Sequence, residues 1–181
     1  TMKITNAMYM ISSTKMRQAK KKLAESEPYF YGLQGEISRI LRHIPEIEHL
    51  YFDKREEIPK EKRKIGSIVI TADKGLAGAY NHNIVKVEDE LLKEPGEHKL
   101  FVVGELGRHY YANKGVKIDT NFLYTVQKPT MHRARDIAEE IFSQFREGEL
   151  DEVYIVYTRM ENSMLTMVEK MKILPLERSS F

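Results

Sequence analysis

Cysteine is absent from the 181 residues. That removes disulfides, thiolate nucleophiles and cysteine zinc sites together and suits a reducing compartment, with the cytoplasm as the default setting. Long apolar runs are missing too. The longest, around Ile68–Ile70, Leu100–Val103 and Val153–Tyr157, fall far short of the roughly 20 residues that cross a bilayer. The start, Thr1-Met2-Lys3-Ile4, has no apolar h-region or small-residue cleavage site, and Thr1 is not expected as a native first residue. The motifs of common hydrolytic chemistry are lacking: there is no H-E-x-x-H and no G-x-S-x-G, and the histidines at 43, 49, 82, 98, 109 and 132 are scattered, which suits surface or turn roles. No catalytic, metal or cofactor-binding residue is assigned. Net charge of one sign is scarce, +2 for a chain that is 31% charged, so the whole-molecule field demands neither nucleic acid nor an anionic membrane.

One local absence is informative. The first carboxylate is Glu25, whereas Lys3, Lys15, Arg17, Lys20, Lys21 and Lys22 precede it. A helix of one sign attracts a partner of the other: an acidic protein surface, nucleic acid and anionic lipid are all compatible. The aromatic interleaving of a single-strand binder is missing, since Tyr9 is the sole aromatic there.

What is present begins with helical periodicity over residues 1–52. Ile4, Met8 and Ile11, then Leu33, Ile37, Ile40 or Leu41 and Ile44, recur every three or four residues, with Ala7, Met16, Ala19 and Leu23 extending a narrow stripe of the coiled-coil kind. Pro28 lacks a donor, so one bent helix or two in tandem are expected, with Ser26 or Glu27 able to cap a second segment. Residues 53–66 are nearly all charge and read as a solvated linker. From 67 to 181 the pattern alternates: strand 67–71, helix 84–93, strand 99–103, helix 105–113, strand 117–123, helix 131–146, strand 152–158. That order predicts a parallel sheet covered on both faces. The run 165–174 follows so closely that it can return only antiparallel, as an edge strand.

The loop Thr71-Ala72-Asp73-Lys74-Gly75-Leu76-Ala77-Gly78-Ala79-Tyr80-Asn81 follows the first sheet strand and precedes a helix, where doubly wound folds bind phosphate. Its glycines fit neither dinucleotide nor P-loop spacing. Gly75 and Gly78 therefore read as a tight turn with Asp73 or Asn81 as a cap, while a phosphate site or a magnesium-binding Asp73 stays open on these residues alone.

Three blocks resemble the gamma subunits of F-type ATP synthases: Lys3–Met10 running into Ser13–Arg17; Ile68–Asn81; and Tyr154–Tyr157 through Ile173–Glu177. Asn6, where that family usually has lysine, and Ala79, where it often has glycine, depart from it. The resemblance implies a three-layer α/β/α Rossmann-like domain with a mostly parallel sheet and one antiparallel edge strand, preceded by a long coiled-coil-type helix. It also implies that roughly a turn or more of the first helix and a long C-terminal helix lie outside these residues, so that the Ile4, Met8, Ile11 stripe is expected to fray or borrow a neighbour. By the same resemblance the chain is a non-catalytic rotor shaft without a small-molecule substrate. Its expected partners are the alpha, beta and epsilon subunits and the c ring, and it couples proton flow to ATP synthesis or hydrolysis on beta at the cytoplasmic side of a bacterial membrane. Met8, Lys15, Arg17, Lys20, Lys21 and Lys22 are the implied contacts with alpha and beta; Asp73, Gly75, Gly78 and Asn81 form a structural loop. The rival readings are a nucleotide- or phosphate-binding α/β domain and a basic-helix binder of nucleic acid or membrane.

Overall fold

The computed structural model describes residues 1–43, 55–74, 79–125, 130–162 and 164–177. The chain divides into two compact units, residues 1–47 with 178–181, and residues 48–177.

In the first unit, helix α1 spans Met2–His43 without interruption. Pro28 neither breaks nor restarts it, contrary to one of the two expectations. The proline removes one donor, but the carbonyl deprived of it belongs to Ala24, which is exposed, so water can satisfy it. Ser26 caps no new segment; its hydroxyl donates to the Lys22 carbonyl at 2.9 Å within the same helix. Ile4, Met8, Tyr9, Met10 and Ile11 are all exposed.

The second unit is a four-stranded sheet in the order β2-β1-β3-β4. Its strands are β1 (Lys64–Ile70), β2 (Glu97–Val103), β3 (Glu152–Met160) and β4 (Thr166–Leu174). β1 pairs parallel with both β2 and β3, and β4 returns antiparallel on β3 as the edge, as the short connection requires. Its helices are α2 (Tyr80–Leu92), α3 (Glu105–Ala112) and α4 (Met131–Arg146). Alternation along β1 sends Val69 to one face, where it meets Ile84 and Val85 of α2 and Tyr111 of α3. It sends Ile68 to the other face, into a cluster with Ile141 and Phe145 of α4 and with Phe101 and Phe122. The result is the three-layer, mostly parallel arrangement anticipated.

Two segments differ from expectation. β1 begins at Lys64, inside the stretch read as linker, because Ile65 is buried and Gly66 leaves room for Leu150 and Phe101: a Cβ on Gly66 would stand 3.0 Å from Leu150 Cδ2. The charged residues before it, which include short 3-10 turns at Arg55–Glu57 and Lys60–Lys62, are fastened rather than free. Arg63 bonds both the Glu152 carboxylate, at 2.6 Å, and the Ile58 carbonyl, at 2.8 Å. Residues 117–123, expected as a strand, make a single bridge, Ile118 to Leu100. There Asp119 turns the chain, its carboxylate accepting the Asn121 N–H at 3.0 Å, and Phe122 swings into the core.

Candidate functional site

The glycine loop leaves β1 through Thr71, which is fully buried. Its hydroxyl donates to the Val103 carbonyl at 2.8 Å and accepts the Gly107 N–H at 3.0 Å. The Ala72 carbonyl accepts the Leu106 N–H at 3.0 Å, and Asp73 Oδ1 accepts the Glu105 N–H at 3.2 Å. The first three amides of α3 are thus taken in succession by Asp73, Ala72 and Thr71. These are the groups that a phosphate at a helix N-terminus would use. Across the loop, Asn81 Oδ1 accepts the Ala72 N–H at 2.9 Å, so Asn81 ties the start of α2 to the end of β1.

Close approach is built into the glycines that follow β2. Gly104 has φ of +100°, and a Cβ there would lie 2.3 Å from the Thr71 carbonyl oxygen; at Gly107 it would lie 2.5 Å from Thr71 Oγ1. The sequence marks Thr71 only as the start of the loop and does not mark Gly104 or Gly107, although a glycine directly after an apolar strand and another three residues later is the available signal. Gly75 and Gly78, which it does mark, lie outside the described residues.

Beside this junction, α2 and α3 flank a cavity of about 750 Å³ whose lining includes Asn81, Lys86, Asp89, Lys93 and Tyr110. Its charges are of both signs. Asp89 accepts the hydroxyls of Tyr110 at 3.3 Å and Tyr111 at 3.4 Å; burial first, then the Asp89 charge, pushes the Tyr111 phenol far above its ordinary range. Among the described residues no group of three or more His, Asp or Glu is placed to hold a metal ion.

On α1 the basic side chains Lys15, Arg17, Lys20, Lys21 and Lys22 are exposed, as is Met8. They do not form one face. At about 100° per residue, seven-residue steps leave Met8, Lys15 and Lys22 within roughly 40° of one line, whereas Arg17 and Lys21 project from the far side and Lys20 lies between. Lys15 and Lys22 therefore interrupt the apolar stripe of Ile4, Met8 and Ile11. Arg17 Nη2 approaches the Thr14 hydroxyl at 3.4 Å, and the Thr14 hydroxyl donates to the Met10 carbonyl at 2.9 Å.

A family model described as ATP synthase matches residues 1–181. The chain belongs to the ATP synthase gamma family. It is 40% identical to the ATP synthase gamma chain of Caldanaerobacter subterraneus subsp. tengcongensis over 99% of its own length and 60% of that relative. It is 41% identical to the gamma chain of Acetivibrio thermocellus, over 98% of its length and 59% of the relative. A third relative, from Acetobacterium woodii, is named a sodium ion specific gamma chain and is 34% identical over 97% of this chain and 57% of its own length. The chain thus spans about 60% of the length of these gamma relatives. The central stalk of the Tetrahymena thermophila mitochondrial ATP synthase shares the fold, with a TM-score of 0.68 at 24% identity, covering 98% of this chain and 74% of that one. Among the described residues no helix of this gamma-family chain is long and apolar enough to cross a membrane.

Proposed function

We propose that this chain works as the central rotor shaft of an ATP synthase, coupling ion flow through a membrane c ring to ATP synthesis or hydrolysis on beta, with no active site of its own. The observation that carries the reading is the family match along all 181 residues. The described part of the loop fits it: Asp73, Ala72 and Thr71 take the first three amides of α3 and Asn81 ties α2 to the end of β1, so these residues serve as a scaffold that joins three elements. The proposed partners are the alpha and beta subunits around α1 and the epsilon subunit and c ring at the α/β unit, with peripheral attachment to the membrane through the complex. Met8, Lys15, Arg17, Lys20, Lys21 and Lys22 are the proposed contacts with alpha and beta. Coupling of this kind is a difference in contact free energy between shaft orientations, so a helix whose sides differ is what it needs. The unlike lines of α1, one carrying Met8 with Lys15 and Lys22 and the other Arg17 with Lys21, supply that asymmetry.

Reconstitution tests it. A full-length gamma chain carrying these residues is added to alpha and beta subunits, and ATP hydrolysis is assayed. Cooperative hydrolysis by the mixture, with none by the chain alone, is the expected result. Failure to bind alpha and beta overturns the reading.

A further inference from the structure

Most buried carboxylates of the α/β unit are matched. Asp119 has Lys99 Nζ at 3.3 Å, Asp151 has the Lys64 N–H at 2.9 Å, and Glu152 has Arg63. Glu88 is different. It lies at the middle of α2, fully buried, and neither carboxyl oxygen meets a donor with hydrogen-bond geometry. The Ser67 hydroxyl of β1 is also buried and unmatched, and it is the polar group that faces Glu88. Ser67 shares its face of β1 with Val69, and Glu88 its side of α2 with Ile84, one turn earlier; on that face Val69, Ile84 and Val156 form an apolar cluster.

The charged and titratable groups near this point come from each neighbouring element. β4 supplies Lys170, whose Nζ is drawn 3.9 Å from Glu94 and lies over the Tyr154 ring, and Lys172, held by Glu152 at 3.9 Å. α3 supplies Tyr111, and α2 itself supplies Asp89, to which that phenol is bonded. β3 supplies the Tyr154 phenol, bonded to Glu152, and β1 only Ser67. Among the described residues no cation is paired with Glu88, so an ionised carboxylate there would be a buried charge offset only by the nearby Ser67 hydroxyl and the more distant Lys170 ammonium.

We propose that Glu88 is a protonation-controlled latch: as the neutral acid it lets α2 lie on the sheet, and loss of its proton loosens α2 from β1, β3 and β4. Burial pushes the carboxyl up to about 8; the Ser67 hydroxyl pulls it back, Asp89 pushes it further and Lys170 opposes. A solvated glutamate ionises near 4.5. Between those values the seated helix keeps a proton that the lifted helix gives up. Opening is then favoured by up to about tenfold for each unit of pH, and levels off above the seated value.

The test is amide hydrogen exchange on the full chain between pH 5 and 9, corrected for intrinsic exchange, with α4 as internal reference. Protection of α2 is expected to fall toward tenfold per unit relative to α4 and to level off near pH 8, and Glu88→Gln is expected to flatten the profile. An α2 profile parallel to that of α4, or a slope that survives in E88Q, overturns the latch. Should E88Q fail to fold, Ser67→Ala decides. Loss of the hydroxyl that favours the charged form must move the levelling point to higher pH, and an unmoved point counts against the proposal.

Discussion

Arg63 Nη1 and Glu152 Oε1 lie 2.6 Å apart with both side chains nearly buried, joining the segment before β1 to the first residue of β3. The same carboxylate accepts the Tyr154 hydroxyl at 3.1 Å. Removing Arg63 leaves the nearly buried Glu152 with only the Tyr154 hydroxyl and the Lys172 ammonium at 3.9 Å. Arg63→Ala is expected to cost roughly 3–5 kcal/mol in urea unfolding, and the double replacement Arg63→Met with Glu152→Leu to recover at least half of that. Equal losses in the single and double variants would show that the pair contributes only through packing.

Two glycines with positive φ separate backbone strain from crowding. Gly115 has φ of +70° and open space where a Cβ would go, whereas Gly104, at +100°, faces the Thr71 carbonyl. Gly115→Ala should cost about 1 kcal/mol, from left-handed backbone alone. Gly104→Ala should cost several kcal/mol or prevent folding, because backbone atoms must move. Thermal unfolding of the two variants side by side measures the difference.

Asp73 caps α3 from a distant loop. Asp73→Ala is expected to lose about 1 kcal/mol, and Asp73→Asn much less. In a reconstituted complex neither change should alter ATP hydrolysis per assembled particle. A specific loss of turnover in D73N would reopen the loop as a ligand site.

The basic residues of α1 are predicted to act by side of the helix. Neutralising Lys15 and Lys22 should weaken association with alpha and beta differently from neutralising Arg17 and Lys21. Each exposed charge is worth at most about 1 kcal/mol, and the effect should shrink as salt rises. Titrations at two ionic strengths check this; identical losses for the two pairs would mean that only total charge counts.

Much of the α/β unit was legible because its signals are local. α4 runs over the expected residues, and Thr130 caps it by accepting the Arg133 N–H at 3.1 Å; β4 had no room to return except antiparallel. What escaped depends on distant partners. The lysine and arginine run before β1 looked solvated because nothing nearby reveals that Arg63 finds a carboxylate 89 residues later. Ile118 looked like strand because β-branched residues say nothing about Asp119 turning the chain. At the candidate site, Asp73 and Asn81 are cap candidates by type, but Asp73 caps α3 rather than α2, and Asn81, inside α2, caps no helix and instead accepts the Ala72 N–H; both outcomes depend on where neighbouring elements end. On α1 the count of basic residues was plain from composition, while their distribution around the axis came only with a continuous helix through Pro28.

β1 enters the sheet at its centre, with a parallel neighbour on each side. A pull on Lys64 along the axis of β1 loads both ladders in shear, so many bonds must yield together. An edge strand peeled from its end would surrender them one at a time. Arg55 and Arg63 stand upstream of that point, Arg55 against the Phe145 ring and the Leu150 carbonyl and Arg63 on Glu152. Tension would thus reach the neighbourhood of β3 before it strained β1. Against a force along its axis, the order of the strands makes β1 harder to withdraw than an edge strand of equal length.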